Sequence, residues 1–427
     1  MKRVQGKKRR AKERVMKRKA VITRSEYESL ELNSRLALIK ELVPLGMMLV
    51  TEELQREVDE IAGGRYERKE GGLPAYRHGT NPGSVKLAGQ RVGVDVPRVR
   101  HELGEVRLRS YETLHGGTGE IDETLFQRVL HGLSTRNYES AAEAIPGAIG
   151  LSKTTVSGQF IDASGAQLKR LHERDLSELD MVAMFLDGKS FAENQMVIAL
   201  GVTTAGNKVI LGFVETDTEN KKVLTAFLRS LLSRGLRIEH GILAIIDGSK
   251  GLRSAVCKAF AGKVVVQRCQ WHKRENVVAY LPKEQQAFMR RRLQRAYQRP
   301  TYQEAKDALG EIERELEQTN QDAMRSLQEG LEETLTLHRL GVFALLGRSL
   351  KTTNCIESIN AGAEERCGRI DYWKNSSQRQ RWLAASLLDI EPRLNKIAGH
   401  IHLSRLRDAI AIELNLKPLT EIYNQAA

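Results

Sequence analysis

Two short apolar runs each lead into Asp-Gly: Met181–Leu186 before Asp187-Gly188, and Ile242–Ile246 before Asp247-Gly248. A third acid, Glu357, lies far downstream in the compact polar stretch Thr353-Asn354-Cys355-Ile356-Glu357-Ser358-Ile359-Asn360. Two aspartates at strand ends and a distant glutamate offer hard oxygen ligands, the donors that suit Mg²⁺ or Mn²⁺. A pair of such ions held over a phosphodiester activates a water or a 3′-hydroxyl on one side and stabilises the leaving oxygen on the other. No covalent protein nucleophile is then required. Three carboxylates drawn together repel one another, so at least one has a raised pKa until a cation neutralises them.

Two of the acids also have a reading without chemistry. Asp-Gly is a common hairpin turn, so Asp187 could simply close a turn before the next strand. Asp247 differs because a helical pattern follows it, and an Asp at the C-terminal end of a parallel strand lies where α/β sheets place their ligands. Asn354 with Glu357 three residues on resembles a helix capping box. Cys269-x-x-His272 is half of a zinc motif that would need Cys355 or Cys367 to complete it. A packed, hydrogen-bonded histidine is the plain alternative. Trp271, Trp373 and Trp382 could stack on a distorted base or serve as buried aromatics.

The elements that must position these groups follow from periodicity. Residues 181–280 read as three β-runs (Met181–Leu186, Met196–Thr204, Val209–Thr216), a helix over 221–236, the strand Ile242–Ile246, a second helix, and the strand Val264–Gln267. The order is βββαβαβ, and both aspartates share one crevice if the first and fourth strands are neighbours. Residues 283–345 are helical and highly charged, an inserted subdomain in which Arg290, Arg291, Arg292 and Arg295 surround a thin apolar stripe. A helical region over 381–397, broken at Pro392, closes the core, and 401–427 form a last helix and tail.

Upstream, Ser25 to Ala62 carries helical spacing, and the glycine-dense stretch 63–100 alternates in the manner of short strands around Ser84–Leu87 and Arg91–Val96. From Asp122 the chain reads as a helix on Leu125, Phe126, Val129 and Leu130, a second helix through Ala142, and a third capped by Ser152. That pattern resembles a helix-turn-helix reader with Lys153 and Thr154 at its DNA-facing start, or else a plain helical linker. Leu168 to Asp180 reads as a charged connector. The expected domains are therefore 1–24, 25–110, 111–180, 181–282, 283–345, 346–400 and 401–427.

The formal net charge is +13, and residues 1–24 hold six Lys, six Arg and a single Glu, so almost all of the excess sits there. Such a block repels itself and suits an arm lying on a polyanion, with Lys7, Lys8, Arg9, Arg10 and Lys12 at its centre. A solvated tail or an import signal is the competing reading. Four cysteines in 427 residues do not form a disulfide framework and suggest a reducing, cytoplasmic setting. No apolar run reaches the roughly 18 residues that would span a bilayer, and no secretory leader is read.

Four blocks carry a resemblance to the mutator-type transposases of bacterial insertion sequences: Phe185–Ser190, Ile246–Leu252, Val266–Lys273 and Thr353–Asn360. The resemblance covers most of residues 60–400. It implies an α/β ribonuclease-H-like catalytic core on a mixed five-stranded sheet, with a helical insertion between the second aspartate and the glutamate and DNA-binding regions ahead of it. By position, Asp187, Asp247 and Glu357 match that family's Asp-Asp-Glu triad, holding Mg²⁺ or Mn²⁺ as a pair of ions. The blocks also put Lys189, Cys269, His272 and Asn354 beside that site, with His272 placed to position a phosphate or the scissile strand. The partners implied are double-stranded DNA (terminal inverted repeats and target), with at least a homodimer to bring two ends together. A nucleoid-associated protein is the corresponding expectation. A DNA-binding regulator with an inert core and a purely hydrolytic nuclease are the competing readings.

Overall fold

The computed structural model describes residues 32–65, 75–87, 90–102, 104–116, 123–132, 148–149, 153–191, 194–216, 220–368, 370 and 372–416. The basic arm, the middle helix of the helix-turn-helix reading and Ser152 lie outside them. Two compact units emerge, one of residues 1–125 with 134–157, the other of 126–133 with 158–427.

In the first unit, helix α1 (Leu32–Ala62) buries Val50, Leu54, Val58 and Ala62, a stripe at four-residue spacing, against Val85, Val99 and Leu108. Strands β1 (Ala75–Leu87) and β2 (Gln90–His101) form an antiparallel hairpin, with β3 (Gly104–Val106) and β4 (Ala148–Ile149) both pairing to β2. These strands are longer than the alternation suggested, because the ladder continues through Pro82 and Pro97 with one irregularity between Arg77 and Thr80. The Glu57 carboxylate accepts from the backbone N–H groups of Arg109 (2.7 Å) and Ser110 (2.9 Å), which caps helix α2 (Arg109–Gly116) from outside.

Helix α3 (Glu123–Leu130) is followed by α4 (Lys153–His172), which runs through the start of the expected connector. The charged residues there hide an apolar series: Leu171 and Leu176 are completely buried.

The second unit is built on five strands in the order β7-β6-β5-β8-β9. They are β5 (Met181–Phe191), β6 (Asn194–Thr203), β7 (Lys208–Thr216), β8 (Ile242–Ile246) and β9 (Val264–Arg268). The first three are antiparallel and β5-β8-β9 are parallel, so the sheet is mixed and the first and fourth strands are neighbours. Side-chain alternation loads both faces. Met184, Leu186, Ile242, Ala244 and Ile246 pack on helices α5 (Lys221–Ser233) and α6 (Lys250–Phe260). Ala183, Phe185, Leu243 and Ile245 point the other way, into a cluster completed by residues from 337 to 410.

Helix α7 (Gln270–Ala279) follows β9 and leads into α8 (Lys283–Tyr297), α9 (Tyr302–Thr319), α10 (Gln321–Gln328), α11 (Leu331–Thr334) and α12 (Thr336–Arg339). These helices have a core of their own from Val277 to Leu335, so the helical packing begins before residue 283. Leu337, Val342 and Leu346 already belong to the sheet's cluster. Helices α13 (Phe343–Leu350), α14 (Asn354–Cys367), α15 (Ser376–Ile390) and α16 (Leu403–Glu413) cover that face, with a 3₁₀ turn at Glu391–Arg393 around Pro392. Among the described residues no helix is long and apolar enough to cross a membrane.

Candidate active site

The parallel pairing of β5 with β8 ends at Leu186 opposite Ile246. Asp187 and Asp247 are the next residues on each strand, side by side where the two strands part. Asp187 is not a turn residue: β5 continues through Gly188 to Phe191 and keeps its pairing to β6, with Asp187 opposite Ile198. By alternation Asp187 extends the row of Ala183 and Phe185, and Asp247 the row of Leu243 and Ile245. Both rows face the layer that contains α14.

Helix α14 buries Ile356, Ile359, Asn360, Ala363 and Cys367 at helical spacing and thereby brings Glu357 toward the strand ends. The capping-box reading of Asn354 fails. The helix N-cap is Thr353, while Asn354 is the first helical residue and is exposed. Instead the buried Thr353 hydroxyl lies 2.9 Å from Glu357 Oε1, 3.4 Å from His272 Nδ1 and 3.5 Å from Cys269 Sγ. One hydroxyl has one proton, and the shortest contact assigns it to Glu357.

Electrostatic coupling ties the acids together. Burial raises the Asp187 carboxyl first, the negative charges of Asp247 and Glu357 add to the shift, and the group reaches about 6 despite the opposing charge of His272. His272 is pushed up to about 9, chiefly by its hydrogen bond to Cys269, with Asp187 and Asp247 contributing. Burial alone would raise the Cys269 thiol, but hydrogen bonding with His272 holds it below its usual range. The His272 imidazole, its pKa raised, lies among the acids with Nε2 3.9 Å from Glu357 Oε1. Cys269 is fixed by its own backbone N–H, which donates to Ile246 O at 2.7 Å.

Asn360 and Arg268 also belong to the site, although neither stood out in the sequence. Asn360 Nδ2 donates to Asp187 Oδ2 at 2.9 Å. It lies three residues after Glu357, hence on the same side of α14, which was the available signal. Arg268, at the end of β9, donates to Gly248 O (2.8 Å) and Glu329 O (2.9 Å), linking the Asp247 turn to the helical insertion. Gly248 has φ +113°, and a Cβ there would stand 3.0 Å from Arg268 Nε. Asp247 Oδ1 accepts from Ser249 N at 3.0 Å, just ahead of α6.

Other expected site residues are dispersed. Lys189 pairs with Glu364. Cys355 and Cys367 bond to Ser349 O and Ser386 Oγ rather than joining Cys269 and His272. Among the described residues no three His, Cys, Asp or Glu side chains stand in a metal-gripping arrangement.

The profile described as "Transposase, Mutator family" matches residues 17–394. The chain belongs to the mutator family of transposases. Curated proteins of similar sequence include the transposase for insertion sequence element IS256 in transposon Tn4001 of Staphylococcus aureus, 26% identical over 78% of this chain and 86% of that protein. The transposase for element ISRM5 of Rhizobium meliloti is 24% identical over 84% of this chain and 90% of its own length. The transposase for element IST2 of Acidithiobacillus ferrooxidans is 31% identical over 44% and 61%.

Within this mutator-family chain, the candidate DNA contacts fare differently. Lys7, Lys8, Arg9, Arg10 and Lys12 lie outside the described residues. Lys153 and Thr154 occupy the first turn of α4. Arg290 pairs with Glu275 at 2.8 Å and Arg292 with Glu315, so both are engaged within the helical subdomain, whereas Arg291 is exposed. Trp382 packs against Phe160 with ring centroids 4.6 Å apart, while Trp271 is 43% exposed beside His272.

Proposed function

We propose that the protein is an Asp-Asp-Glu transposase with a ribonuclease-H-like core, which cleaves DNA at the ends of an insertion sequence and joins the freed 3′ end to a target. The observation that carries this reading is the adjacency of Asp187 and Asp247 just beyond the last pair of the parallel β5–β8 ladder, coupled by charge to Glu357 and His272, in a mutator-family chain. In donor chemistry the set suits a hard divalent cation, being all carboxylate, buried at Asp187 and under mutual repulsion, although the three acids are not closed into a grip. Asp187, Asp247 and Glu357 would hold Mg²⁺ or Mn²⁺, which when bound makes a water or 3′-hydroxyl a better nucleophile and offsets charge on the leaving oxygen.

The chain's own groups do the positioning. Asn360 fixes one oxygen of Asp187, Thr353 holds Glu357, and the His272 imidazolium offers a cation to the phosphate of the bound strand. Lys153, Thr154, Arg291 and the N-terminal arm are candidate contacts to duplex DNA, and two ends in one complex call for at least a dimer. The test uses duplexes of the terminal inverted repeat with Mn²⁺. Asp187→Asn should abolish cleavage and leave end binding nearly unchanged; wild-type rates from that variant refute the assignment. A pre-cut 3′ end should also be joined to plasmid DNA, which a purely hydrolytic nuclease would not do.

A further inference from the structure

Between Glu284 and Glu304 the chain carries five arginines and no acid. Two of the five are neutralised from neighbouring helices, Arg290 by Glu275 and Arg292 by Glu315. The other three, Arg291, Arg295 and Arg299, are exposed and form no ion pair among the described residues. A four-residue step puts Arg291 and Arg295 on one face of α8, about 6 Å apart along its axis. The turn continues past the helix end, where Arg299 N donates to Ala296 O at 3.2 Å, so Arg299 follows one turn further on.

Contacts lead from the end of this row to the acids, all within the second unit. Arg299 O meets His338 Nε2 at 3.1 Å, and His338 stacks on Phe343 with ring centroids 3.6 Å apart. Lys351 Nζ stands 5.7 Å from the centre of that same Phe343 ring. Lys351 is half-buried and has no carboxylate partner among the described residues, and burial lowers its pKa. Its carbonyl accepts from Gln270 N at 3.0 Å, in the first turn of α7, which also carries His272. Four uncompensated cations therefore run from the outside of the helical insertion to the residue beside Glu357. A line of like charges repels itself, and an extended polyanion laid along it relieves that repulsion.

We propose that this line is the bed of the DNA duplex held at the carboxylates, with backbone phosphates meeting Lys351, Arg299, Arg295 and Arg291 in that order away from the cut. The proposal rests on the transposase reading and adds a direction to it. Duplex DNA fits because its charge is continuous, one phosphate per roughly 1.7 Å of helix axis. A second copy of the chain could set acids of its own against the row, but that would not account for the row closing on His272. Contacts of this kind fix the register of the duplex without choosing its sequence.

The experiment measures binding of the full chain, in EDTA, to a terminal-repeat duplex from 50 to 300 mM KCl. The triple variant Arg291→Gln, Arg295→Gln, Arg299→Gln is first checked for an unchanged melting transition. Its log-affinity versus log-salt slope is expected to flatten by about 2.7, three phosphates at about 0.9 each. Lys306→Gln, Arg314→Gln and Arg325→Gln together remove the same charge from α9 and α10 and flatten it by less than one contact's worth. Neutral methylphosphonates, placed one at a time, then test the order. A run of positions to one side of the cut weakens wild-type binding; Lys351→Gln silences the position nearest the cut and Arg291→Gln the farthest. An equal slope change in both triple variants, no change in either, or a scrambled order overturns the proposal. So does a retained slope with an altered mass in solution, which would assign the row to a second copy. Cleavage of the repeat duplex with Mn²⁺ tests the transposase reading separately, so cleavage without these shifts removes the DNA bed alone.

Discussion

The Asn360 side-chain amide donates to Asp187 Oδ2 at 2.9 Å, across 173 residues of chain. Because this hydrogen bond reaches the most strongly perturbed acid of the site, removing it acts on Asp187 rather than on the fold. Asn360→Ala is expected to lower Mn²⁺-dependent cleavage by about 10–100-fold, the usual cost of losing a partner that orients a ligand. End binding in EDTA and the melting temperature should change little. Cleavage within twofold of wild type would contradict the role.

Thr353 contacts three side chains of the candidate site from the N-cap of α14. Thr353→Val keeps the shape and removes the hydroxyl, at a stability cost of about 1 kcal/mol for one net hydrogen bond. Cleavage should fall by more than that drop in stability explains, because Glu357 and His272 no longer share a hydroxyl. Thr353→Ser should restore it, and failure of that rescue would assign Thr353 to packing alone.

Arg268 is 5% exposed and holds the Gly248 and Glu329 carbonyls. Arg268→Met preserves bulk but drops both charge-assisted bonds, each worth roughly 1.5–3 kcal/mol, and leaves Glu333 paired with Arg253 alone. The second unit should melt at a lower temperature, and limited proteolysis should cut the 320–335 helices first. Unchanged protease resistance would show that Arg268 does not tie the insertion to the sheet.

Burial pushes His338 down to about 4, where it stacks on Phe343 at 3.6 Å and its Nε2 meets Arg299 O at 3.1 Å. The folded protein keeps this imidazole neutral, while the unfolded chain protonates it near 6.5. Between about 6.5 and 4 the unfolded state therefore binds more protons, so stability present above pH 6.5 drains away as the pH falls toward 4. Melting followed from pH 7.5 to 5 should show this decline, and His338→Phe should flatten the profile. An identical pH slope in the variant would contradict it.

Deleting residues 2–19 removes most of the arm's charge. Binding to any duplex should weaken by a similar factor, and the log-affinity versus log-salt slope should flatten by about 0.9 for each phosphate that the arm no longer neutralises. Gel shifts from 50 to 300 mM KCl measure it, and an unchanged slope would exclude the arm from the DNA.

The strand and helix order of the sheet is legible in the sequence because period-two and period-3.6 patterns are strong there, and both Asp-Gly motifs stand out as breaks in apolar runs. Their adjacency is not legible, since strand order depends on pairing that no local pattern encodes. The extent of β5 is hidden for a related reason: Asp187-Gly188 looks like a turn locally, but the ladder to β6 carries the strand on to Phe191. Thr353 and Asn360 are visible only as polar letters in a motif, because their partners lie 84 and 173 residues away. Leu171 and Leu176 are masked by the charged residues around them, although burial places both in the interior.

Glu357 rides on the layer that covers the face of Leu243 and Ile245, and that layer is translated only after the whole helical insertion. A nascent chain that has produced both aspartates still exposes an oily sheet with nothing above it, which by itself is a poor fold. Closing that lid and delivering the last acid are one event. On the proposed Asp-Asp-Glu reading, ribosome-bound or prematurely terminated chains are left unarmed, and competence to cut arrives together with maturity.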